Sequence, residues 1–240
     1  VGGRLVSKLL LAGYRVRCLV RCPEKLSDRP FYDDDRVEIL ACDLEDEERT
    51  AKDLSDCRAA YFLVHSMMAA GRSYAEADRR IARAFANAAS TAGIQQIIYL
   101  GGLGETGEGL SEHLKSRRDV ELELASGKSP LTVLRAAMII GSGSASFEIL
   151  RYLVERLPLM VTPRWVTTKC QPIGIRDVIN YLVSCLSEPA TIGQTIDIGG
   201  PEVVTYKEVI QITAKSIGLS RRYILAVPIL TPRLSSFWIH

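Results

Sequence analysis

His113 and Arg117 stand four residues apart in the stretch SEHLKSRRDVE, a spacing that on a helix stacks two side chains one turn apart on a common face. The imidazole, with an ordinary pKa of about 6.5, can give or take a proton near neutral pH. The guanidinium stays charged and only donates hydrogen bonds. The same two residues would equally serve a surface ion network with Glu112 and Glu121. A second group opens the chain: Val1-Gly2-Gly3-Arg4 runs into the apolar-rich stretch Leu5 to Ala12 and then into RVRCLVR, which ends at Arg21. A glycine turn that starts a helix points free N–H groups at a pyrophosphate. These residues therefore read as a nucleotide-binding βαβ unit entered halfway, with the helix and second strand present and the first strand not.

Charge at the end of that second strand bears on which nucleotide is bound. An acidic residue there accepts hydrogen bonds from the ribose of NAD, whereas a cation suits a 2′-phosphate. Arg21 favours NADP, with Lys25 a weaker second cation, although a solvated charge at a strand end needs no ligand. Asp43, with Leu44 beside it in ACDL, is placed to reach an adenine amino group or to serve as a turn or N-cap residue. Thr50 and the acidic run Glu45 to Glu48 read as a solvated helix start. Glu105, Glu108, Glu112 and His113 bring carboxylates and an imidazole together, but acidic residues already complement a helix N-terminus, and no metal site is expected.

These residues must be held by an α/β framework. Strands are expected at Tyr14 to Arg21, Val37 to Ala41, Ala59 to Val64, Gln96 to Leu100 and Leu131 to Arg135, with helices between most of them. IIYL and LTVLR are too continuously apolar to have a wet face, which points to a doubly wound parallel sheet covered on both sides. An alanine-rich helix from Tyr74 to Ala92 ends at Gly93. After Arg135 the prolines 158, 163 and 172 punctuate shorter elements, followed by helices at Ile175 to Leu186 and Tyr206 to Ile217 around a strand at Thr195 to Ile198. The expected division is a core over residues 1–145 and a small substrate lobe over 146–240 that is interleaved with the core. The segment ASFEILRYLVERLPLM could contact a membrane or a partner helix, but a helix packed in that lobe is the favoured reading, with Arg151, Glu155 and Arg156 forming its narrow polar edge. Trp165, Arg164, Lys169 and Gln171 are its most plausible pocket residues.

Composition narrows the class. The 240 residues carry 30 Lys plus Arg against 28 Asp plus Glu, a balance that disfavours a nucleic-acid partner. The six cysteines are scattered without paired metal-ligand spacing and read as reduced, buried thiols of a cytoplasmic protein. No stretch is long and apolar enough to span a bilayer. The apolar tail after Ile224 suggests a natural chain that continues.

In the order GGRL, RVRCLVR, ACDL, YFLVHSM, IIYLGGLG, TVLRAAMIIG, IGIRDV and DIGGPEVVTYKEV, the chain resembles an atypical short-chain dehydrogenase/reductase of the NAD(P)H-binding, NmrA-like kind. The resemblance covers almost the whole chain. It implies a Rossmann-like fold in which Gly2 is the third glycine of the cofactor loop. The absent first strand would lie at the centre of the sheet. It further implies that Val64, His65 and Ser66 pass under the cofactor ribose, that Gly101 and Gly102 after their strand approach the nicotinamide, and that Ala136 to Met138 close the other side. Members of the family typically use a serine after the fifth strand and a Tyr-x-x-x-Lys pair. Here glycine replaces the serine, His113 takes the tyrosine position, and Arg117 takes the lysine position that binds the nicotinamide ribose.

The resulting expectation is an NADP(H)-binding protein, with NAD also admissible. It would be an oxidoreductase moving hydride between nicotinamide and a small carbonyl, enone or quinone. The alternative is a non-catalytic NADP-binding redox sensor or structural subunit, favoured by the joint loss of serine and tyrosine. Epimerase chemistry is a lesser option, because it depends on the same tyrosine. The helices starting near Tyr74 and Ser111 suit a homodimer interface.

Overall fold

The structure, a computed structural model, describes residues 1–64, 72–103 and 112–227; of residues 72–74, 112–114 and 145 only the backbone is described. Helix α1 (Gly2–Leu11) leads into strand β1 (Val16–Val20), then β2 (Val37–Ala41), α2 (Glu47–Asp53), β3 (Ala59–Phe62), α3 (Arg72–Thr91), β4 (Gln96–Gly102), α4 (Glu112–Ala125) and β5 (Leu131–Ala136). There follow β6 (Ile139–Ile140), α5 (Ala145–Arg156), β7 (Leu159–Pro163), β8 (Lys169–Cys170), β9 (Ile173–Gly174), α6 (Ile175–Ser184), β10 (Thr195–Ile198), β11 (Val204–Thr205), α7 (Tyr206–Ser216) and β12 (Tyr223–Val227). The chain divides into two compact units. One comprises Val1–Ala136 with Arg176–Ile198; the other comprises Ala137–Ile175 and the stretch from Gly199. The chain leaves the first unit at Ala136/Ala137. The chain then returns to the first unit, because β10 pairs with β5 inside its sheet.

In the first unit, β10-β5-β4-β3 form one all-parallel sheet and β1-β2 a separate parallel pair. Side chains alternate between the two faces. Phe62, Ile97, Tyr99 and Val133 point into a core with Ala82, Phe85 and Ala89 of α3 and Leu124 of α4. The opposite face receives α6, whose Leu182 carbonyl accepts the Tyr61 hydroxyl at 2.8 Å. The expected covering on both sides is present. Helix α1 lays Val6 and Leu10 on Phe31, Val16 and Val37.

Arg17 ties the β1-β2 pair to the neighbouring loop. Its Nε meets Glu38 at 2.6 Å, and its Nη1 donates to the carbonyls of Asp53 and Ser55, each at 2.8 Å. Thr50 is fully buried rather than part of a solvated helix start. Its hydroxyl lies 3.5 Å from both the Cys42 sulfur and the Asp43 carbonyl oxygen, because the loop after β2 folds over the first turn of α2. The helix start itself is capped by Asp46, whose side chain accepts the Arg49 amide.

The second unit packs α5 against α7 around Leu150, Val154, Met160, Val166, Val209 and Ile210. Its strands pair as β6-β9, β7-β12 and β8-β11. Thr205 and Glu208 form a reciprocal capping box at the start of α7. Gln211 accepts the Arg222 amide, and the buried Arg222 donates to the Val154 carbonyl. Trp165 is 56 % exposed and meets Tyr206 edge-on, so it is not a core residue. The six cysteines are free; Cys42 and Cys185 are buried and Cys22 is exposed.

Candidate functional site

The strands of the first unit bring their C-terminal ends to one rim, and the start of α1 stands beside that rim. A Cβ placed on Gly2 would lie 3.9 Å from Leu63, the residue following the end of β3. The amides of Gly2 and Gly3 begin the helix, where backbone N–H groups have no acceptor four residues earlier. Their positive end of the helix dipole suits an anion. Arg29 crosses this turn, with its Nε 3.9 Å from the Cβ position of Gly3. In the sequence Arg29 is marked only as a cation four residues after Lys25 in the same loop.

Arg21 directly follows β1 and is exposed, without an ion-pair partner among the described residues. Lys25 is exposed on the single 3₁₀ turn Pro23–Leu26. Asp43 follows β2, is exposed, and accepts the Glu45 amide at 3.1 Å, so the turn role weighed for it is present. Leu44 and Val64 are half-buried against the core. His65 and Ser66 lie outside the described residues, as do Glu105 and Glu108.

Gly101 and Gly102 are the last two residues of β4 rather than residues beyond it, because the ladder with β5 continues through Gly101 to Arg135 and Gly102 to Ala136. A side chain on Gly101 would crowd Tyr99 at 3.3 Å. Ala136 likewise ends β5 and is buried. Met138 belongs to the second unit, where it packs beside that unit's core.

Helix α4 places the backbone of His113 in its first turn and Arg117 one turn later; the His113 side chain lies outside the described residues. Arg117 Nη1 donates to the Leu100 carbonyl at 3.4 Å, and the Tyr99 hydroxyl donates to the Arg117 carbonyl at 3.3 Å. Glu121 does not pair with Arg117. It binds Arg118 at 2.7 Å and Arg135 at 2.6 Å. Burial pushes its carboxyl above the ordinary range, against the pull of Arg118. Burial also pushes the Tyr99 phenol up, so that ring anchors α4 and is unsuited to proton transfer.

No group of three or more His, Cys, Asp or Glu among the described residues could hold a metal. An open depression lined by Glu47, Lys52 and Asp56 lies towards the other end of the strands, beside the loop that enters β3. Among the described residues, no helix is long and apolar enough to cross a membrane.

A parallel sheet with helices on both faces, a glycine-started helix at its C-terminal rim and a cation, Arg29, across that start define a Rossmann-like nucleotide-binding fold. Residues 1–137 match the NAD(P)H-binding family, and the chain belongs to it. The chain is 28 % identical over 154 residues to subunit 9 of the NADH dehydrogenase (ubiquinone) 1 alpha subcomplex, mitochondrial, of Arabidopsis thaliana. That match covers 63 % of this chain and spans only 38 % of the relative's length. A nucleoside-diphosphate-sugar epimerase from Staphylococcus aureus shares the fold with a TM-score of 0.78, at 15 % identity over 99 % of this chain and 79 % of that one. UDP-glucuronic acid 4-epimerase from Bacillus cereus, solved with NAD, superimposes with a TM-score of 0.74 at 18 % identity, covering 94 % of this chain and 84 % of its own. The likeness to short-chain dehydrogenases/reductases expected from the ordered motifs is borne out at the level of NAD(P)H binding and fold.

Proposed function

We propose that the protein binds NADP(H) across the strand ends of its first unit and reduces a small carbonyl, enone or quinone, as a member of the NmrA-like branch. The observation that carries this reading is that Arg29 lies against the glycine start of α1 while Arg21, directly after β1, and Lys25, on the turn that follows, are exposed cations. The residues present fit a dinucleotide. The Gly2 and Gly3 amides suit its pyrophosphate, Arg21 and Lys25 suit a 2′-phosphate, and the Asp43–Leu44 turn suits the adenine edge. Val64, with His65 and Ser66, would line the ribose, while Gly101, Gly102 and Ala136 would flank the nicotinamide. Arg117, already aimed at the end of β4, would donate to the nicotinamide ribose.

When bound, the reduced nicotinamide supplies the hydride. The chain's contribution is the proton. His113 would deliver it to the substrate oxygen as hydride reaches the carbonyl carbon, so that the carbonyl becomes an alcohol. Stopped-flow NADPH oxidation against a carbonyl, enone and quinone panel tests this, with His113→Ala alongside. Turnover that falls about a hundredfold in the variant supports the assignment. Undiminished turnover removes His113 from it.

One observation favours a second reading, a non-catalytic NADP-binding sensor or structural subunit. Glycine fills the serine position, and the nearby Tyr99 is buried with its hydroxyl committed to the Arg117 carbonyl. Tight NADPH binding without oxidation by any panel member would select that reading.

A further inference from the structure

Strands β7 and β12 pair in parallel register, Tyr223 opposite Leu159 and Leu225 opposite Val161. Residues two apart on a strand share a face, and registered partners point to the same side. The inner side carries Met160 and Ile224 into the core of the second unit. The outer side is wholly apolar and open: Leu159, Val161, Tyr223 and Leu225 are 61, 40, 70 and 59 % exposed. Isolated exposed apolar residues are ordinary, but four in one contiguous face form the kind of patch that marks an interaction surface.

Charge indicates what such a surface meets. The chain as a whole is balanced, yet from Arg156 to Arg176 and from Val209 to Val227 it holds seven Lys or Arg and no Asp or Glu. Arg156 and Arg221 precede the two strands and Arg164 follows β7; all three are exposed and without an ion-pair partner among the described residues. Arginines therefore stand at both ends of the apolar face. Trp165, half exposed just beyond Arg164, and Tyr223 add amphipathic rings of the kind that lodge at a membrane–water boundary. An apolar face with a basic rim is complementary to acyl chains beneath anionic headgroups.

From this arrangement we infer that the second unit docks on an anionic membrane surface through the outer face of β7 and β12. The apolar quartet enters the headgroup boundary, and Arg156, Arg164 and Arg221 meet lipid phosphates. Nucleotide binding by the first unit is a separate property.

Co-sedimentation of the full chain with vesicles tests the inference. Binding is expected to vesicles of phosphatidylcholine mixed with phosphatidylserine, to be released by high salt, and to be absent with phosphatidylcholine alone. Leu159→Glu combined with Leu225→Glu should weaken binding by at least about tenfold. Replacing Arg156 and Arg221 by glutamine should weaken it similarly; these changes are confined to exposed side chains and serve if the first variant does not fold. Failure to sediment with the mixed vesicles overturns the inference. So does sedimentation that survives either set of changes, or capture of an acidic protein by this face when mixed vesicles are ignored. NADPH titration of the same variants should be unchanged, which separates this result from the fate of the cofactor assignment.

Discussion

The guanidinium of Arg117 donates to the carbonyl oxygen of Leu100 at 3.4 Å. This contact carries a cation from the middle of α4 to the end of β4, where the strand finishes in two glycines. The hydrogen bond is long and neutral at its acceptor, so a ribose hydroxyl can replace or share it at little cost.

Arg117→Ala should therefore weaken NADPH binding by about tenfold, the scale of one lost charge-assisted hydrogen bond. The melting temperature without nucleotide should change little. Isothermal titration alongside thermal melting separates the two effects; equal loss of both would make Arg117 a structural tie only.

Glu121 joins α4 to β5 through Arg118 and Arg135, and its side chain is 12 % exposed. Glu121→Gln should cost about 2 kcal/mol of stability, because Arg135, only 20 % exposed, loses its ionic partner. Urea unfolding measures this, and a change below about 0.5 kcal/mol would contradict it.

Gly200 donates its amide to the Pro172 carbonyl at 3.0 Å, and a Cβ there would collide with that same oxygen. The obstacle is backbone, so it cannot swing aside. Gly200→Ala should destabilise the protein by about 2 kcal/mol, the usual scale of overpacking. Thermal melting would show this, and an unchanged midpoint would mean that the loop yields freely.

The Arg36 side chain and amide both bond the carboxylate of Asp34, and these hydrogen bonds hold its pKa down to about 2. Arg36 also donates to the Leu10 carbonyl near the end of α1. A carboxyl whose pKa is lower when folded adds stability above its unfolded value of about 3.9 and loses it as pH falls towards 2. Asp34→Asn should therefore lower the melting temperature at pH 7 and make little difference near pH 2. A uniform offset across that range would contradict the linkage.

Much of this was legible in the chain. IIYL became part of β4 because a buried parallel strand needs a continuous apolar run, whereas RVRCLVR and VEILA became the half-buried β1 and β2 through their β-branched and apolar residues. Arg21 and Asp43 came to strand ends for the same reason. Partnerships between distant residues were not legible. Arg17 bonding the Asp53 and Ser55 carbonyls, Arg135 bonding Glu121, and Arg29 crossing the start of α1 depend on packing that no local pattern encodes. Thr50 looked solvated because its neighbours are acidic, whereas its burial comes from the loop above it. The return of β10 to the first unit is likewise a matter of long-range pairing.

Arg21, directly after β1, with Lys25 as a second cation, is proposed to receive the 2′-phosphate of NADP(H). The most direct measurement is a titration of wild-type and Arg21→Ala protein with NADPH and with NADH. Wild type should bind NADPH more tightly than NADH, and the variant should lose about tenfold for NADPH while NADH is nearly unaffected. Equal losses for the two nucleotides, or tighter wild-type binding of NADH, would contradict it.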